Sequence, residues 1–446
     1  MSTTLAALRS TSRPPGQGPS PQVTHRTTTR LLRLVSGSLG AVELLSGMGR
    51  LNAEELLNAA LRGTGFSRAA LDDVAEPLRR LLGAVEEEAD LSALGLWTLR
   101  WDVHQLLSNL LRLQAEEERR PAVLDEAVVA PIFITGLPRS GTTFLHRLMA
   151  EDPARLIPRH WQTVYPYPDA RQRSNAGDTR ERRAEAQLRW FSRLSPDIRS
   201  VHPIDGQFPQ ECIQITAHVF QSPRFSDMYD IPSYRHWLDT HGYSDAYHFH
   251  KRFLQHLQSQ ASEAQGDKGH WVLKAPEHVF ALDALQGVYP DARFVFVHRD
   301  PLRVIPSVAR LTEILRTPFA RHVDLARTGR EVTEDWARAA AIMVDLDNRH
   351  LIDSARLVHV LYSDLVARPL ETIERIYGHF GLTLAPEAAR AMRRMVADNP
   401  RGGYGRNHYS LAAYGIDPEE IRDRFRGYVQ QFGIPIDARQ AEGAAA

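Results

Sequence analysis

The stretch Pro131-Ile-Phe-Ile-Thr-Gly136-Leu-Pro-Arg-Ser-Gly141-Thr-Thr-Phe-Leu145 constrains the fold more than any other part of this chain. An apolar strand runs straight into a glycine-bounded loop that opens a helix, which is the plan of a phosphate cradle. Four residues separate Gly136 from Gly141, and Thr142-Thr143 follow. The spacing is that of the nucleotide-triphosphate loop GxxxxGK[ST], with Thr142 where the lysine belongs. That lysine reaches the β- and γ-phosphates of a triphosphate. Here the one cation inside the loop is Arg139, placed for a phosphate close to the loop itself, so the loop suits a nucleotide with a short 5′ group.

Three further apolar runs, Trp271–Leu273, Phe294–Val297 and Val358–Leu361, each lead to a polar turn and then a helix. Strands alternating with helices predict an α/β unit of P-loop type, three layers around a mainly parallel central sheet, with ligands at the carboxyl ends of the strands. Before it, Leu31, Leu32, Leu34, Val35 and later Leu96, Leu99, Val103, Leu106, Leu107, Leu110, Leu111 recur at helical spacing. The expected organisation is a disordered tail over 1–25, a helical N-terminal region over 26–125, the α/β domain over 126–437 and a disordered tail over 438–446. Residues 1–25 are rich in Ser, Thr, Pro, Gln and Gly and hold no acidic residue.

With 54 basic and 54 acidic residues the formal charge is zero, which argues against nucleic acid as a partner. The single cysteine, Cys212, excludes an internal disulfide and a thiolate zinc cluster, and fits a reducing cytoplasm. The apolar run at 127–134 is too short to span a bilayer, and no metal-ligand spacing stands out among the histidines. These features predict a cytoplasmic protein with no metal and no membrane span.

Beyond the loop, Phe294-Val-Phe-Val-His-Arg299-Asp-Pro-Leu-Arg-Val-Ile-Pro-Ser307 puts an arginine at a strand end and a serine eight residues on, two turns into a helix starting near Pro301. Both can converge on one phosphate. Trp271-Val-Leu-Lys274-Ala-Pro276-Glu-His278 ends a strand in lysine, in a chain whose other lysines are Lys251 and Lys268.

These motifs, in this order over roughly 131–415, resemble the PAPS-dependent sulfotransferases, in particular a bacterial branch with a helical N-terminal region. The resemblance implies that Arg139, Ser140, Gly141, Thr142 and Thr143 hold the 5′-phosphosulfate of PAPS (3′-phosphoadenosine-5′-phosphosulfate), that Arg299 and Ser307 hold the 3′-phosphate, and that adenosine 3′,5′-bisphosphate is a product. It makes Lys274 the electrophile on the leaving oxygen, with Arg139 beside it. The family's catalytic histidine position holds Pro276, so two candidates for the base remain: His278, and Glu211 in Pro209-Gln-Glu211-Cys212, which resembles the branch's P-x-E-[CD] element. Gln162, where the branch often carries glutamate, is assigned to substrate positioning. Val358-His-Val-Leu-Tyr362-Ser-Asp364-Leu resembles the strand whose aromatic residue lies by the adenine. Arg401, Gly405, Arg406 and His408 form an arginine- and glycine-rich segment suited to a loop closing over the nucleotide.

The implied acceptor is a small-molecule hydroxyl. Aromatic residues crowd 158–250: Trp161, Tyr165, Tyr167, Phe208, Phe220, Phe225, Tyr229, Tyr234, Trp237, Tyr243 and Tyr247. If they line the acceptor pocket, it takes a hydrophobic or aromatic alcohol. Two rival readings stand beside this one. One is a P-loop kinase, which the absent loop lysine disfavours. The other is a repurposed family member whose sulfation drives elimination or cyclisation.

Overall fold

The computed structural model describes residues 51–168, 179–194, 205–265, 269–398 and 411–436. Both expected tails, and the first periodic run at Leu31–Val35, lie outside them.

Five parallel strands form the central sheet: β1 Ile132–Gly136, β2 Arg155–Leu156, β3 His270–Lys274, β4 Arg293–His298 and β5 Leu357–Leu361. Their order is β2-β3-β1-β4-β5. The four strands expected from sequence are present. The two-residue β2 is an addition, too short to carry a pattern of its own. β1 is central and buried at every position, as a parallel strand covered on both faces must be.

Alternate residues of the strands feed two cores. Phe133, Leu273, Phe294 and Phe296 point to one face, under the helices Ala93–Arg119, Ser244–Gln265, Pro301–Arg316 and Leu325–Asn348. Ile132, Ile134, Val272, Val295 and Val297 point to the other, under the helices Thr142–Met149, Pro369–His379 and Pro386–Asp398. The chain is therefore a three-layer α/β fold with additional helices at its N-terminal side.

Those added helices, Ala53–Leu61, Asp72–Glu88 and Ala93–Arg119, do not own a separate core. Leu57, Leu81, Leu99 and Leu107 belong to the same apolar cluster as Phe133 and Phe294. Polar ties reinforce the joint. Glu117 accepts hydrogen bonds from Arg252 and His256, Arg224 pairs with Asp102 at 2.8 Å, and Asn109 Nδ2 donates to the Val164 carbonyl at 2.9 Å. At the start of the Ala93–Arg119 helix, Ser92 Oγ accepts from the Gly95 N–H, and Ser92 N–H donates to the Phe319 carbonyl at 2.7 Å.

Two glycines test this docking in opposite directions. A Cβ on Gly95 would stand 2.3 Å from the Phe319 carbonyl oxygen, whereas one on Gly83, inside the Asp72–Glu88 helix, meets nothing within 4 Å. Helix propensity alone favours alanine by roughly 0.8–1 kcal/mol at either site. We expect Gly83→Ala to stabilise the protein by up to that amount and Gly95→Ala to destabilise it by about 1–3 kcal/mol, through backbone displacement at the joint. Denaturant unfolding of the two variants checks this, and equal effects would mean that the helical region is not pressed against the 319 turn.

Candidate active site

β1 ends in Gly136, paired with Val297 of β4. Its φ is +127°, and a Cβ there would lie 2.3 Å from the Val297 carbonyl oxygen, so the turn out of the strand admits only glycine. The loop ends in Gly141, with φ +96°, as the N-cap of the Thr142–Met149 helix, and no side chain caps that helix. Between them Arg139 takes φ +60°, a left-handed conformation that costs a non-glycine residue of the order of 1–3 kcal/mol and tends to mark functional loops. Ser140 is buried, and its Oγ finds no hydrogen-bond partner among the described residues. A backbone curled this way, with an uncapped helix N-terminus and a buried unsatisfied hydroxyl, is an anion-binding concavity.

The Arg299 motif closes one side of this loop. Asp300 does not pair with Arg299. It caps the Pro301–Arg316 helix, accepting from the Leu302 N–H at 2.9 Å, which leaves the arginine turned towards the loop. The guanidinium of Arg299 donates to the Arg139 carbonyl and lies over the Tyr362 ring, 4.0 Å from its centroid. Ser307 receives a hydrogen bond from Arg139 Nε at 3.2 Å. Tyr362 also backs the loop, since a Cβ on Gly141 would be 3.0 Å from its ring. Thus Arg139, Arg299, Ser307 and Tyr362, drawn from three separate motifs, meet at one end of the loop.

At the other end stands Lys274, last residue of β3 and only 1% exposed. Register places it beside Ile134 of β1. Its ammonium donates to Thr143 Oγ1 at 3.1 Å and forms a short ion pair with the Glu211 carboxylate. Glu211 is held by its neighbour: Gln210 Oε1 accepts the Glu211 N–H, and Gln210 Nε2 bonds His160 Nδ1. Cys212, the next residue, is buried, and burial pushes its thiol far above the ordinary range, so it is inert.

His278 is placed elsewhere. It is completely buried outside the cavity lining, with Nδ1 bonded to the Tyr247 hydroxyl at 2.6 Å and the ring edge-on to Phe133 at 5.0 Å. Burial holds its imidazole well below its usual range, so it is neutral. Gln162, expected to position substrate, lies outside the cavity lining, and its Oε1 accepts from the Arg159 N–H and caps its own helix, His160–Val164. Arg401, Gly405, Arg406 and His408 lie outside the described residues.

The loop residues Arg139, Gly141, Thr142 and Thr143, together with Glu211, open into a cavity of about 1010 Å³, with Lys274 buried behind Thr143 and Glu211. Of the aromatic residues between 158 and 250 singled out in the sequence, Tyr165 reaches it. Phe220, Phe225, Tyr229, Tyr234, Tyr243 and Tyr247 are core. The cavity's aromatic wall comes instead from Trp97 and Trp101 of the Ala93–Arg119 helix, Trp190 of the helix Arg180–Leu194, and Trp336. Sequence reasoning also missed Glu277 and Asp227, which line the cavity near Glu211. Glu277 is 9% exposed, and its Oε2 has no hydrogen-bond partner among the described residues. Burial, with Asp227 and Glu211 adding, holds its carboxyl well above the usual carboxylate range. Asp227 is pushed up to about 6 by burial, against the pull of Arg235 and Arg316. Among the described residues no group of three His, Cys, Asp or Glu could hold a metal ion, and no helix is long and apolar enough to cross a membrane.

Two glutamates a short way apart should answer the same substitution with opposite signs. Glu211→Gln leaves the Lys274 ammonium buried without its counter-charge and should destabilise the protein by about 1–3 kcal/mol. Glu277→Gln keeps the shape of the side chain and removes its ionisable group. Because its native pKa is raised, wild-type Glu277 favours folding at low pH and loses that contribution as pH rises through the native pKa. The Glu277→Gln variant should therefore be neutral to stabilising at pH 7, and gain further on wild type as pH increases. Urea unfolding of both variants across neutral to alkaline pH decides it, and a destabilised Glu277→Gln would show that this carboxyl is ionised.

Residues 131–386 match the family model of the sulfotransferase family. The ω-hydroxy-β-dihydromenaquinone-9 sulfotransferase Stf3, of Mycobacterium bovis and of Mycobacterium tuberculosis, is 27% identical over 343 residues, covering 71% of this chain and 81% of the relative. Among solved structures, sulfotransferase STF1 of Mycobacterium tuberculosis H37Rv has a TM-score of 0.72 at 32% identity, over 84% of this chain and 99% of that one. Sulfotransferase STF9 of Mycobacterium avium has a TM-score of 0.76 at 27% identity, over 87% and 98%. The chain belongs to the sulfotransferase family, as a member with a helical N-terminal extension.

Proposed function

We propose that this sulfotransferase moves a sulfuryl group from PAPS to the hydroxyl of a hydrophobic, lipid-like acceptor. The observation that carries the reading is the meeting of Arg139, Arg299 and Ser307 at one end of the loop with Lys274 and Thr143 at the other. Such an arrangement suits a nucleotide bearing anionic groups at both ends, a 3′-phosphate and a 5′-phosphosulfate. A triphosphate would ask for a loop lysine, and the sulfotransferase family match replaces the kinase reading.

In this reading the loop amides, the Ser140 hydroxyl and Thr142 hold the 5′-phosphate, while Arg299, backed by Tyr362, and Ser307 hold the 3′-phosphate. The acceptor oxygen attacks sulfur in line, and the bond from sulfur to the bridging phosphate oxygen breaks. Charge grows on that oxygen, and the Lys274 ammonium neutralises it. As Lys274 turns from Glu211 to the donor, the Glu211 carboxylate is released to take the acceptor's proton. The products are a sulfate ester, adenosine 3′,5′-bisphosphate and a protonated Glu211. Support for a lipid-like acceptor comes from the tryptophans lining the same cavity as Glu211 and from Stf3, a relative named for a hydroxylated menaquinone substrate.

Three substitutions test this. Arg299→Ala should weaken adenosine 3′,5′-bisphosphate binding in calorimetry by roughly 1.5–3 kcal/mol, a charge-assisted bond. Lys274→Ala should lower kcat more than it raises KM for PAPS. Glu211→Gln should slow single-turnover transfer by ~10²-fold or more with nucleotide affinity nearly intact. Unchanged affinity in Arg299→Ala would remove the 3′-phosphate assignment. A Glu211→Gln enzyme within a few-fold of wild type would remove the base. If PAPS is consumed and mass spectrometry finds a desulfated alkene or ring, the chain uses sulfation to drive elimination or cyclisation.

A further inference from the structure

The mouth of the acceptor cavity is rimmed by large apolar side chains that the fold leaves in water. Trp97 is 45% exposed, Trp101 37% and Trp190 40%, and all three line the cavity. Trp97 and Trp101 stand one helical turn apart on the Ala93–Arg119 helix, and Trp190 meets Trp97 edge-on, with ring centroids 5.7 Å apart. One exposed tryptophan is unremarkable on a soluble protein, but three converging on one opening are a patch.

The helix carrying Trp190 is strongly basic in a chain of zero net charge. Arg180–Leu194 holds five arginines and two glutamates. Arg180 and Arg183 are used inside the protein: Arg180 donates to the Pro166 carbonyl, and Arg183 lies over the Tyr165 ring at 4.4 Å. Arg182, Arg189 and Arg193 are exposed. At 100° per residue they fall within about 100° of Trp190 on the same face of that helix. Arg189 holds a loose 3.8 Å pair with Glu185 and keeps 60% of its side chain in water. Tryptophan at the level of an interface flanked by arginines that reach lipid phosphates is the chemistry of a helix lying on an anionic membrane surface.

We propose that Trp97, Trp101 and Trp190, with Arg182, Arg189 and Arg193, form a docking face for a bilayer bearing anionic headgroups, and that the acceptor passes from that bilayer into the cavity mouth. The proposal rests on the lipid-like acceptor proposed above and deepens it. A long-chain alcohol would then keep its tail in lipid or against the tryptophans throughout, never crossing water. The proposed association is peripheral, made by interfacial tryptophans and arginines on the surface of the fold.

The test uses the full chain and unilamellar vesicles of phosphatidylcholine, alone or mixed with phosphatidylglycerol. Cosedimentation should show binding to the anionic vesicles that weakens with added salt. Arg182→Gln, Arg189→Gln and Arg193→Gln together should reduce it by ~10²-fold, at about one order of magnitude or less per arginine near the surface. Brominated lipids should quench wild-type tryptophan fluorescence, and Trp97→Phe with Trp190→Phe should remove most of that quenching. The triple arginine variant should keep wild-type turnover with a short-chain, water-soluble alcohol, because those residues lie outside the site. Wild-type failure to transfer sulfate to any alcohol would count against the acceptor reading and leave the vesicle result to stand on its own. Indifference to anionic vesicles, or binding that survives the triple substitution, overturns the docking face. Self-association abolished by the same substitutions, without vesicle binding, reassigns it to a second copy of the chain.

Discussion

A lysine ammonium taken almost wholly out of water governs how this site is built. Lys274 sits at the end of β3 because strand register puts it beside Ile134, one strand from the phosphate loop. A charge in that position is costly unless anions or lone pairs surround it, so Glu211 and Thr143 are drawn in from elements far apart in sequence. The same demand for negative charge couples the resting arrangement to the reacting one. Whatever anion approaches the loop competes with Glu211 for the ammonium, and the carboxylate it displaces faces the cavity. Glu277 and Asp227 remain close, and burial together with Asp227 and Glu211 raises the Glu277 pKa against the pull of Lys274.

The loop is constrained just as tightly by space. A side chain at Gly136 would strike the Val297 carbonyl and one at Gly141 the Tyr362 ring, so β4 and the helix Tyr362–Ala367 after β5 shape the loop from outside. Arg299 joins these two contacts, bonding the loop backbone while resting on Tyr362. The loop end of the site is thus a set of mutually dependent positions, whereas the cavity wall is built of side chains borrowed from helices outside the sheet.

That contrast explains what could be read in the sequence. Strand-loop-helix joints announce themselves, because glycine spacing and apolar runs are local, and the placement of Arg139, Arg299, Ser307 and Lys274 around one loop follows from strand ends sharing one edge of a parallel sheet. The pairing of Lys274 with Glu211 was not legible, since 63 residues separate them and nothing local links them. Nor was the acceptor wall. Tyr229 and Tyr234 look no different in sequence from Trp97 and Trp190, yet the first two are core and the last two border the cavity. Composition gives the number of aromatic residues, and tertiary packing decides which of them face a ligand. Gln162 illustrates the same limit on a smaller scale, since a side chain that can position substrate can equally cap its own helix.

The Ala93–Arg119 helix carries two unrelated duties on opposite faces. Leu99, Val103, Leu107 and Leu111 hold it in the common core, while Trp97, Trp101 and Gln105, spaced by one turn, face the cavity. Because helical periodicity keeps these sets apart, the cavity face can drift without disturbing the core, and the loop, which lies on other elements, need not change at all. Such a helix is a substrate for natural selection in its own right. On the proposed function, a lineage could exchange one acceptor for another by altering a handful of positions there, which would make acceptor choice more evolvable than the chemistry at the loop.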